Sequence, residues 1–447
     1  MTQTRKPERA DLLLKGGLVL SMDPDVGIRE SCDVAISDGR IVDVGPGLTL
    51  DGAREVDASD MIVIPGLIDS HWHMWSTIGR NFIAEGYEYF PAKIATSAAY
   101  QPEDFYDSVL LGLVEAANAG ITTVHNWSHN TRTPDHADAE LRAHRDGLVR
   151  ARYAYGHRDM LPVDEPLGFA DIDRVADEWF GTTSPFDGLV RLGLNLRGPD
   201  LGELEVFHKE MGDAAARGLP VAIHTMQGGS TKVRVADLAA RDYLGPDFLI
   251  CHFLAATDED RSLMAESGTP LSYSVHSELR LGDAGDPRAA LLKARHAGIV
   301  VSLSIDATSL HPVNLFEAMN VAWNMGIPWE RTDTAQLPAL TFADCLAMAT
   351  IEGARALGLA DLTGSLTPGK RADVVMIRRH DLNVAPVGDP ESTVVRSVTP
   401  ANVDTVIIDG RVVKTGGVLQ HVDVPEVVRN AEAAARRVLG RSNVADS

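Results

Sequence analysis

Eight short apolar segments, separated by stretches with the spacing of amphipathic helices, constrain the fold of this chain more than any other feature. Strands that alternate with helices form a parallel sheet covered by helices. Eight such units close into a (β/α)8 barrel, the TIM barrel, whose functional side chains lie at the carboxyl ends of the strands. Each segment ends in polar or titratable residues, as this fold requires. The segments are residues 61–73, 120–129, 152–159, 189–198, 219–226, 248–253, 269–278 and 299–306.

The two ends of the chain share a different pattern, in which short apolar runs are broken by tight turns. Asp-Gly pairs, which are strong hairpin signals, occur at residues 38–39 and 409–410. We therefore expect residues 1–64 and 365–447 to form one composite β-sandwich domain, and residues 65–364 to form the barrel. A length of 447 residues suits a barrel with one smaller companion.

Composition excludes several classes of partner. The formal charge of -22 argues against nucleic acid, because a phosphate-binding face needs clustered lysine and arginine. Cys32, Cys251 and Cys345 lie far apart and form no CxxC pair, so neither a disulfide framework nor a thiolate zinc site is indicated. The N-terminal segment lacks an apolar core of signal-peptide length, and no apolar run reaches the roughly 18 residues that a membrane helix needs, so we expect neither a signal peptide nor a membrane helix. We expect a cytoplasmic protein with a small-molecule substrate and no membrane partner.

Five metal-compatible side chains end four of the eight segments. His71 and His73 flank Trp72, and residues two apart on a strand point to the same side. His224, His252 and Asp306 end the fifth, sixth and eighth segments. In a closed barrel these groups converge on one mouth, so the sequence predicts a metal site there.

The motifs around these residues resemble those of the metal-dependent amidohydrolase superfamily. PGLIDSHWH, residues 65–73, looks like its opening signature of Pro-Gly, an acidic residue and His-x-His. GSLTPGKRADVVMI, residues 364–377, is similar to the superfamily's return into its small sheet domain. The likeness spans nearly the whole chain and is greatest to the deaminase and chlorohydrolase branch, which includes cytosine deaminase.

This resemblance assigns roles to the five residues. It implies that His71, His73 and His224 are imidazole ligands of the metal and that Asp306 is both the carboxylate ligand and the catalytic proton acceptor. The resemblance also implies that His252 is the second catalytic residue, beside the bound water and the substrate. Superfamily members with two metals usually have a lysine at the end of the fourth strand, and residues 189–198 contain none.

We therefore expect one divalent metal, with zinc as the default choice and iron or manganese also compatible with these ligands. The superfamily resemblance also implies a homodimer. A divalent ion on three neutral imidazoles and one carboxylate lowers the pKa of bound water to about 7. The expected reaction is hydrolysis of a C–N bond, in an amide, cyclic amide or amino-heterocycle, by attack of metal-bound hydroxide. Two alternatives stay open: an aminohydrolase (deaminase) of a nucleobase-like ring and, in another class, an inactive metal-binding scaffold.

One position departs from the deaminase pattern. Aminohydrolases of this branch usually place a glutamate three residues after the fifth-strand histidine, where this chain has Gln227. A glutamine amide can orient a substrate but cannot exchange a proton near neutral pH. The sequence thus predicts weak deamination of cytosine-like or adenine-like rings. Gln227 is a candidate substrate contact, with an ordinary loop residue as the alternative.

Further candidates for substrate binding lie at or just after the ends of the barrel strands. Each has a structural alternative, because buried histidines and aromatic residues are often hydrogen-bonded core residues. The arginine among them would suit a carboxylate or carbonyl group. These candidates are His125, His129, His157, Arg197, His276 and Trp75.

Overall fold

The computed structural model describes residues 7–83, 88–225, 232–282 and 285–442. The chain starts in a small mixed sheet. The Asp-Gly pair at residues 38–39 joins two of its strands, and both residues have positive φ (48° and 71°), as a two-residue type I′ turn demands. The first strands are β1 (Leu12–Leu20), β2 (Ile28–Ser37), β3 (Arg40–Gly45), β4 (Arg54–Asp57) and β5 (Met61–Pro65).

After Gly66 the chain enters a second sheet, whose eight parallel strands lie side by side in chain order. Backbone hydrogen bonds between the residues after the last strand and the end of the first strand close the barrel. Asp306 N–H donates to the His71 carbonyl, and His73 N–H donates to the Asp306 carbonyl, both at 2.8 Å. The predicted (β/α)8 barrel is confirmed. Its strands are β6 (Leu67–Trp72), β7 (Ile121–Ser128), β8 (Arg150–Gly156), β9 (Val190–Leu196), β10 (Val221–Thr225), β11 (Phe248–His252), β12 (Leu271–Tyr273) and β13 (Val301–Leu303).

Helices cover the barrel and cap its ends. At Thr257 a capping box starts one of them: the hydroxyl accepts from Asp260 N–H, and the Asp260 carboxylate accepts from Thr257 N–H. Within the described ranges, no helix has both the length and the apolarity to cross a membrane. The α-helices are α1 (Tyr89–Ser97), α2 (Pro102–Asn118), α3 (Pro134–Gly147), α4 (Phe169–Phe180), α5 (Leu204–Ala216), α6 (Val235–Ala239), α7 (Asp258–Ser267), α8 (Val275–Leu281), α9 (Pro287–His296), α10 (Leu315–Met325), α11 (Phe342–Met348), α12 (Ile351–Ala356), α13 (Pro390–Ser397) and α14 (Val424–Arg441), with 3-10 helices at Met74–Gly79 and Pro400–Asn402.

The last strands complete the small sheet. They are β14 (Val374–Arg378), β15 (Val403–Ile408), β16 (Arg411–Thr415) and β17 (Val418–Leu419). The sheet has the order β17-β16-β15-β14-β5-β1-β2-β3, with β4 paired to β1, so β14 from the far end of the chain pairs directly with β5. The expectation that both ends build one additional domain is confirmed.

Two details differ from the sequence-based boundaries. Residues 61–73 form two strands in different sheets: β5 ends at Pro65 and β6 starts at Leu67, on either side of Gly66. Helix α14, which we assigned to the small domain, packs against α2 of the barrel instead. Its buried stripe includes Ala431, Ala434 and Val438, which join an aromatic cluster around Trp75.

A buried ion pair holds the small sheet against the amino end of the barrel. The Arg150 guanidinium, on β8, donates two hydrogen bonds to the Asp373 carboxylate, at 2.8 and 3.0 Å. Both side chains are almost fully buried, with 3% and 0% exposure. Asp373 also accepts from the Asp409 backbone and the Thr363 hydroxyl, so its charge organises the junction between the two sheets.

We predict that Arg150→Ala lowers the free energy of unfolding by about 3–5 kcal/mol, because it leaves the Asp373 charge buried without its partner. Chemical denaturation followed by circular dichroism measures the effect. Lys209→Ala is the matched control, since it removes an exposed pair with Asp213, and such pairs contribute at most about 1 kcal/mol. An equal loss of unfolding free energy in the two variants would contradict our conclusion that the Arg150–Asp373 pair stabilises this junction.

Candidate metal centre

The carboxyl ends of the barrel strands bring the five predicted side chains to one mouth. His71 Nε2 lies 3.1 Å from both Asp306 Oδ1 and His224 Nε2. His73 Nε2 lies 3.2 Å from the same Asp306 oxygen. His252 completes the cluster: one ligand atom from each of His71, His252 and Asp306 lies within 4.8 Å of the others, as also holds for His71, His73 and His224.

Local backbone conformation directs two of these side chains inward. His252 and Asp306 have φ values of 81° and 62°, in the left-handed region that residues with a Cβ rarely occupy. Such strain persists where the surrounding structure enforces it, and it concentrates at functional sites. The Trp127 indole stacks on the His224 ring, with centroids 4.0 Å apart, and thereby fixes its orientation.

The electrostatics fit a divalent cation. Burial lowers the pKa of His71 to about 3 and that of His73 to about 4, and it places the pKa of His224 well below its ordinary value. Burial alone would raise the pKa of Asp306, but the contacts of its carboxylate with the His71 and His73 rings hold that pKa well below its usual range. Neutral imidazole nitrogens and one charged carboxylate oxygen therefore converge at the mouth. Together they form a set of ligand atoms suited to zinc, iron or manganese.

Glu278 is a residue of this site that the sequence analysis did not select. It lies on α8, is fully buried, and its Oε1 is 2.8 Å from His252 Nδ1. Its second oxygen, Oε2, has no hydrogen-bond partner among the described residues. Burial lowers the pKa of His252, but the Glu278 carboxylate outweighs this effect and leaves that pKa above its ordinary value. The imidazole is thus equipped to carry a proton.

The sequence predicts that His276 of the same segment contacts the substrate, and the secondary structure of this segment determines where the His276 and Glu278 side chains lie. On a strand, residues 276 and 278 would point to the same side, but α8 starts at Val275. On a helix, residues two apart lie roughly 200° apart, so one faces the mouth and the other faces away. The His276 ring lies against His311, with centroids 3.8 Å apart, and its Nε2 is 3.5 Å from Glu317.

The other candidates occupy distinct positions around the mouth. His125 is fully buried below the cluster, with Nε2 3.1 Å from Asn195 Oδ1. The Arg197 guanidinium donates to the main-chain carbonyls of Leu161 and Pro162, at 3.1 and 2.7 Å, and thereby holds the loop after β8. Gln227 lies outside the described residues. Substrate contact by each of these three side chains stays a prediction.

His129, His157 and Trp75 lie nearer to the metal cluster. His129 Nδ1 is 3.0 Å from His73 Nδ1, and the Trp75 indole N–H donates to the same His129 nitrogen at 3.1 Å. His157 borders the cavity above the cluster, and its Nδ1 has no hydrogen-bond partner in the described structure. Trp75 is 1% exposed and supports His129 from behind, so it is placed to position other residues.

A cavity of roughly 270 Å³ opens above the cluster. Polar side chains, including His157 and Asp159, line one part of it. Solvent-exposed apolar side chains form the rim, and they are Phe90, Ile94, Met160 and Leu201. The arrangement suits a small molecule that has an apolar part at the rim and presents a polar edge to the metal cluster.

Residues 62–413 match the model of the amidohydrolase family. The chain belongs to this family. This match confirms the resemblance that we drew from PGLIDSHWH, residues 65–73, and GSLTPGKRADVVMI, residues 364–377. Members of the deaminase and chlorohydrolase branch are among the proteins similar to this amidohydrolase.

Two relatives are similar over almost their entire length. The 5-methylthioadenosine/S-adenosylhomocysteine deaminase of Symbiobacterium thermophilum is 30% identical over 447 residues, which cover 96% of this chain and 99% of the relative. The 5'-deoxyadenosine deaminase of Methanosarcina barkeri is 27% identical over 454 residues, with 97% and 100% coverage. This amidohydrolase is therefore a metal-dependent hydrolase that acts on C–N bonds.

Two solved structures share its fold. A zinc-bound adenosine deaminase from Xanthomonas campestris has a TM-score of 0.81 at 24% identity, covering 97% of this chain and 100% of that one. The atrazine chlorohydrolase of Arthrobacter aurescens, complexed with zinc, has a TM-score of 0.78 at 20% identity, with 95% and 100% coverage. Both confirm the barrel with its additional domain.

We predict one tightly held metal per chain, because the fourth strand, β9, offers no lysine to bridge a second ion. Elemental analysis of protein purified without chelator should give about one equivalent that survives dialysis. His224→Ala should lose it, whereas His276→Ala should retain it, since His276 lies with His311 away from the cluster. Two dialysis-resistant equivalents in the unaltered protein would contradict this prediction.

Proposed function

We propose that this amidohydrolase removes ammonia from an amino-substituted heteroaromatic ring. The observation that carries the proposal is the buried Glu278 carboxylate 2.8 Å from His252 Nδ1, beside the metal cluster. Deamination of an aromatic ring needs a group that can give a proton to the ring nitrogen and take one back. The His252–Glu278 pair is chemically suited to that task. It offers the acid that a glutamine amide such as that of Gln227 cannot supply.

We further propose a single zinc ion held by His71, His73, His224 and Asp306. When bound, such an ion lowers the pKa of a coordinated water to about 7 and polarises the electrophilic carbon's substituent. Asp306 Oδ1 lies between His71 and His73, so its carboxylate can also take a proton from the attacking water.

The proton transfers then balance between two residues. The water oxygen bonds to the ring carbon that bears the amino group, while Asp306 takes one water proton and His252 gives its Nε2 proton to the adjacent ring nitrogen. The carbon–nitrogen bond breaks as Asp306 passes its proton to the amino group, which leaves as ammonia. The remaining hydroxyl proton returns to His252, and the product carries a ring carbonyl and a ring N–H.

The relatives support a purine-like ring as the substrate. Those named above deaminate adenine nucleosides by their names, at 27–30% identity over almost the full chain. The apolar rim of Phe90, Ile94, Met160 and Leu201 would contact a substituent that projects from the ring toward solvent. Burial of such a group contributes about 25 cal/mol per Å² of apolar surface to binding.

Hydrolysis of a cyclic amide is the second candidate, and Gln227 favours it. An amide has no aromaticity to lose, so its hydrolysis needs no second proton donor, and Asp306 alone can deliver a proton to the leaving ring nitrogen. Under this second candidate, deamination of cytosine-like or adenine-like rings would be weak, as the sequence predicts from Gln227. Location in the cytoplasm and assembly into a homodimer also stay predictions; the buried, unpaired thiols of Cys32, Cys251 and Cys345 suit a reducing compartment.

A substrate screen of zinc-loaded protein separates these functions. We expect ammonia release from aminopurines or their nucleosides with kcat/KM above roughly 10⁴ M⁻¹ s⁻¹, the lower end of the usual enzyme range. Lactams and N-acyl compounds are assayed in parallel by release of carboxylate. Carboxylate release without deamination would favour the second candidate, and metal binding without any turnover would indicate a scaffold.

Glu278→Gln tests the proton-transfer role directly. The amide keeps the size of the side chain and its hydrogen bond to His252 Nδ1, but it removes the charge that stabilises the protonated imidazole. We expect kcat for ring deamination to fall at least about a hundredfold, the lower range for loss of an acid or base, with zinc content unchanged.

The matched control is Glu140→Gln, which alters another fully buried carboxyl group. Glu140 accepts hydrogen bonds from Asn126 and Ser128 outside the mouth, and burial raises its pKa to about 8, so it carries little charge at neutral pH. The activity of the Glu140→Gln variant should stay within about threefold of that of the unaltered protein. Equal activity of Glu278→Gln and Glu140→Gln would remove Glu278 from the mechanism.

A further inference from the structure

The ring nitrogen of His73 that faces away from the metal cluster contacts a second histidine. His73 Nδ1 and His129 Nδ1 are 3.0 Å apart, and both rings are buried. Two imidazole nitrogens at this distance need one proton between them, so one ring donates and the other accepts. Which ring donates determines the tautomer of His73, and hence whether its Nε2 carries a hydrogen or a lone pair.

Trp75 decides the direction of this hydrogen bond. Its indole Nε1 is 3.1 Å from the same His129 Nδ1, and an indole nitrogen can only donate. His129 Nδ1 must therefore be an acceptor with no hydrogen of its own. His73 Nδ1 is then the donor, so a neutral His73 carries its hydrogen on Nδ1 and a lone pair on Nε2.

A competing contact exists and is weaker. His129 Nδ1 also lies 3.5 Å from the main-chain carbonyl of Trp127, an acceptor that would favour a hydrogen on Nδ1. That distance exceeds the usual 2.7–3.2 Å range for N–H···O hydrogen bonds. A hydrogen on Nδ1 would also oppose the indole N–H of Trp75 at 3.1 Å. With His73 and Trp75 as donors, both hydrogens share the single lone pair of His129 Nδ1 in a three-centre hydrogen bond, and no two hydrogens or two lone pairs oppose each other.

Asp159 supports the same tautomer from the other side of His129. Its Oδ1 is 3.4 Å from His129 Nε2, and it accepts a hydrogen bond of 2.9 Å from Lys93 Nζ. A carboxylate that faces Nε2 favours a hydrogen there and thus leaves Nδ1 free to accept. The lysine keeps this carboxylate ionised and in place.

We propose that Trp75, His129 and Asp159 are positioning residues that hold His73 in the tautomer able to bind the metal through Nε2. The geometry at that nitrogen agrees: His73 Nε2 and Asp306 Oδ1, both acceptors, are 3.2 Å apart and would repel each other without a cation. This inference rests on the metal ligands proposed above and is independent of the substrate. Partners of the second nitrogen of a ligand histidine typically change metal affinity by about 10- to 100-fold.

The test compares zinc affinities, measured by competition with a chromogenic chelator. Trp75→Phe removes the indole N–H but keeps an aromatic ring beside Phe105, and Asp159→Ala removes the carboxylate. Each should raise the zinc dissociation constant by about 10- to 100-fold. The double variant should lose less than the product of the two single effects, because both act through His129.

Matched controls use a second indole–carboxylate pair outside the site. Trp179 Nε1 donates to Asp138 Oδ1 at 2.9 Å, and neither residue contacts the mouth. Trp179→Phe and Asp138→Ala should leave zinc affinity within about threefold of the unaltered protein. Thermal unfolding of the metal-free variants verifies that each is folded before affinities are compared.

Two results would overturn the inference. One is a folded Trp75→Phe protein that binds zinc within threefold of the unaltered protein, and the other is an equal loss in the Trp179→Phe control. If the assignment of the metal ligands were itself wrong, the unaltered protein would bind no zinc in the same assay. That result is distinguishable from both of the results above.

Discussion

The site depends on the closure of the barrel through the backbone of Asp306. Its N–H and carbonyl each form a 2.8 Å hydrogen bond with the strand that carries the His-x-His pair. The backbone bonds that join the last strand to the first therefore also set the distance between the carboxylate and two of the imidazoles. A shift by one residue in this pairing would turn the ligands to the other face of the sheet.

Burial makes this small arrangement chemically effective. Inside the mouth, desolvation keeps His71, His73 and His224 neutral, whereas Asp306 remains charged because two of these imidazoles contact it. The same dry surroundings strengthen the influence of each neighbouring charge. Glu278 can therefore raise the proton affinity of His252 although burial opposes this. As a result, the neutral imidazoles proposed as metal ligands and an imidazole that can carry a proton lie close together in one mouth.

The second layer of residues gives each imidazole a defined role. Trp127 stacks on His224, Glu278 holds His252, and His129 contacts His73. Different partners act on rings of one residue type, so otherwise equivalent histidines can serve as ligand, acid or support. The apolar rim of the cavity lies outside this layer, where substrate selection can change without disturbing the metal cluster.

Local sequence patterns were sufficient for the barrel, for the sheet built from both ends and for the five side chains at the mouth, because each is encoded at strand ends by alternation and by motifs such as HWH. Asp-Gly pairs likewise determined two hairpins, since few other residues tolerate positive φ at both turn positions. Glu278 and His276 show where this information ends: because the strand changes to a helix at Val275, Glu278 contacts His252 while His276 lies against His311. The contacts of α14 with α2, and of Asp159 and Trp75 with His129, join segments distant in sequence. Only the tertiary structure decided them, because they depend on which faces of separate elements meet after the barrel has closed.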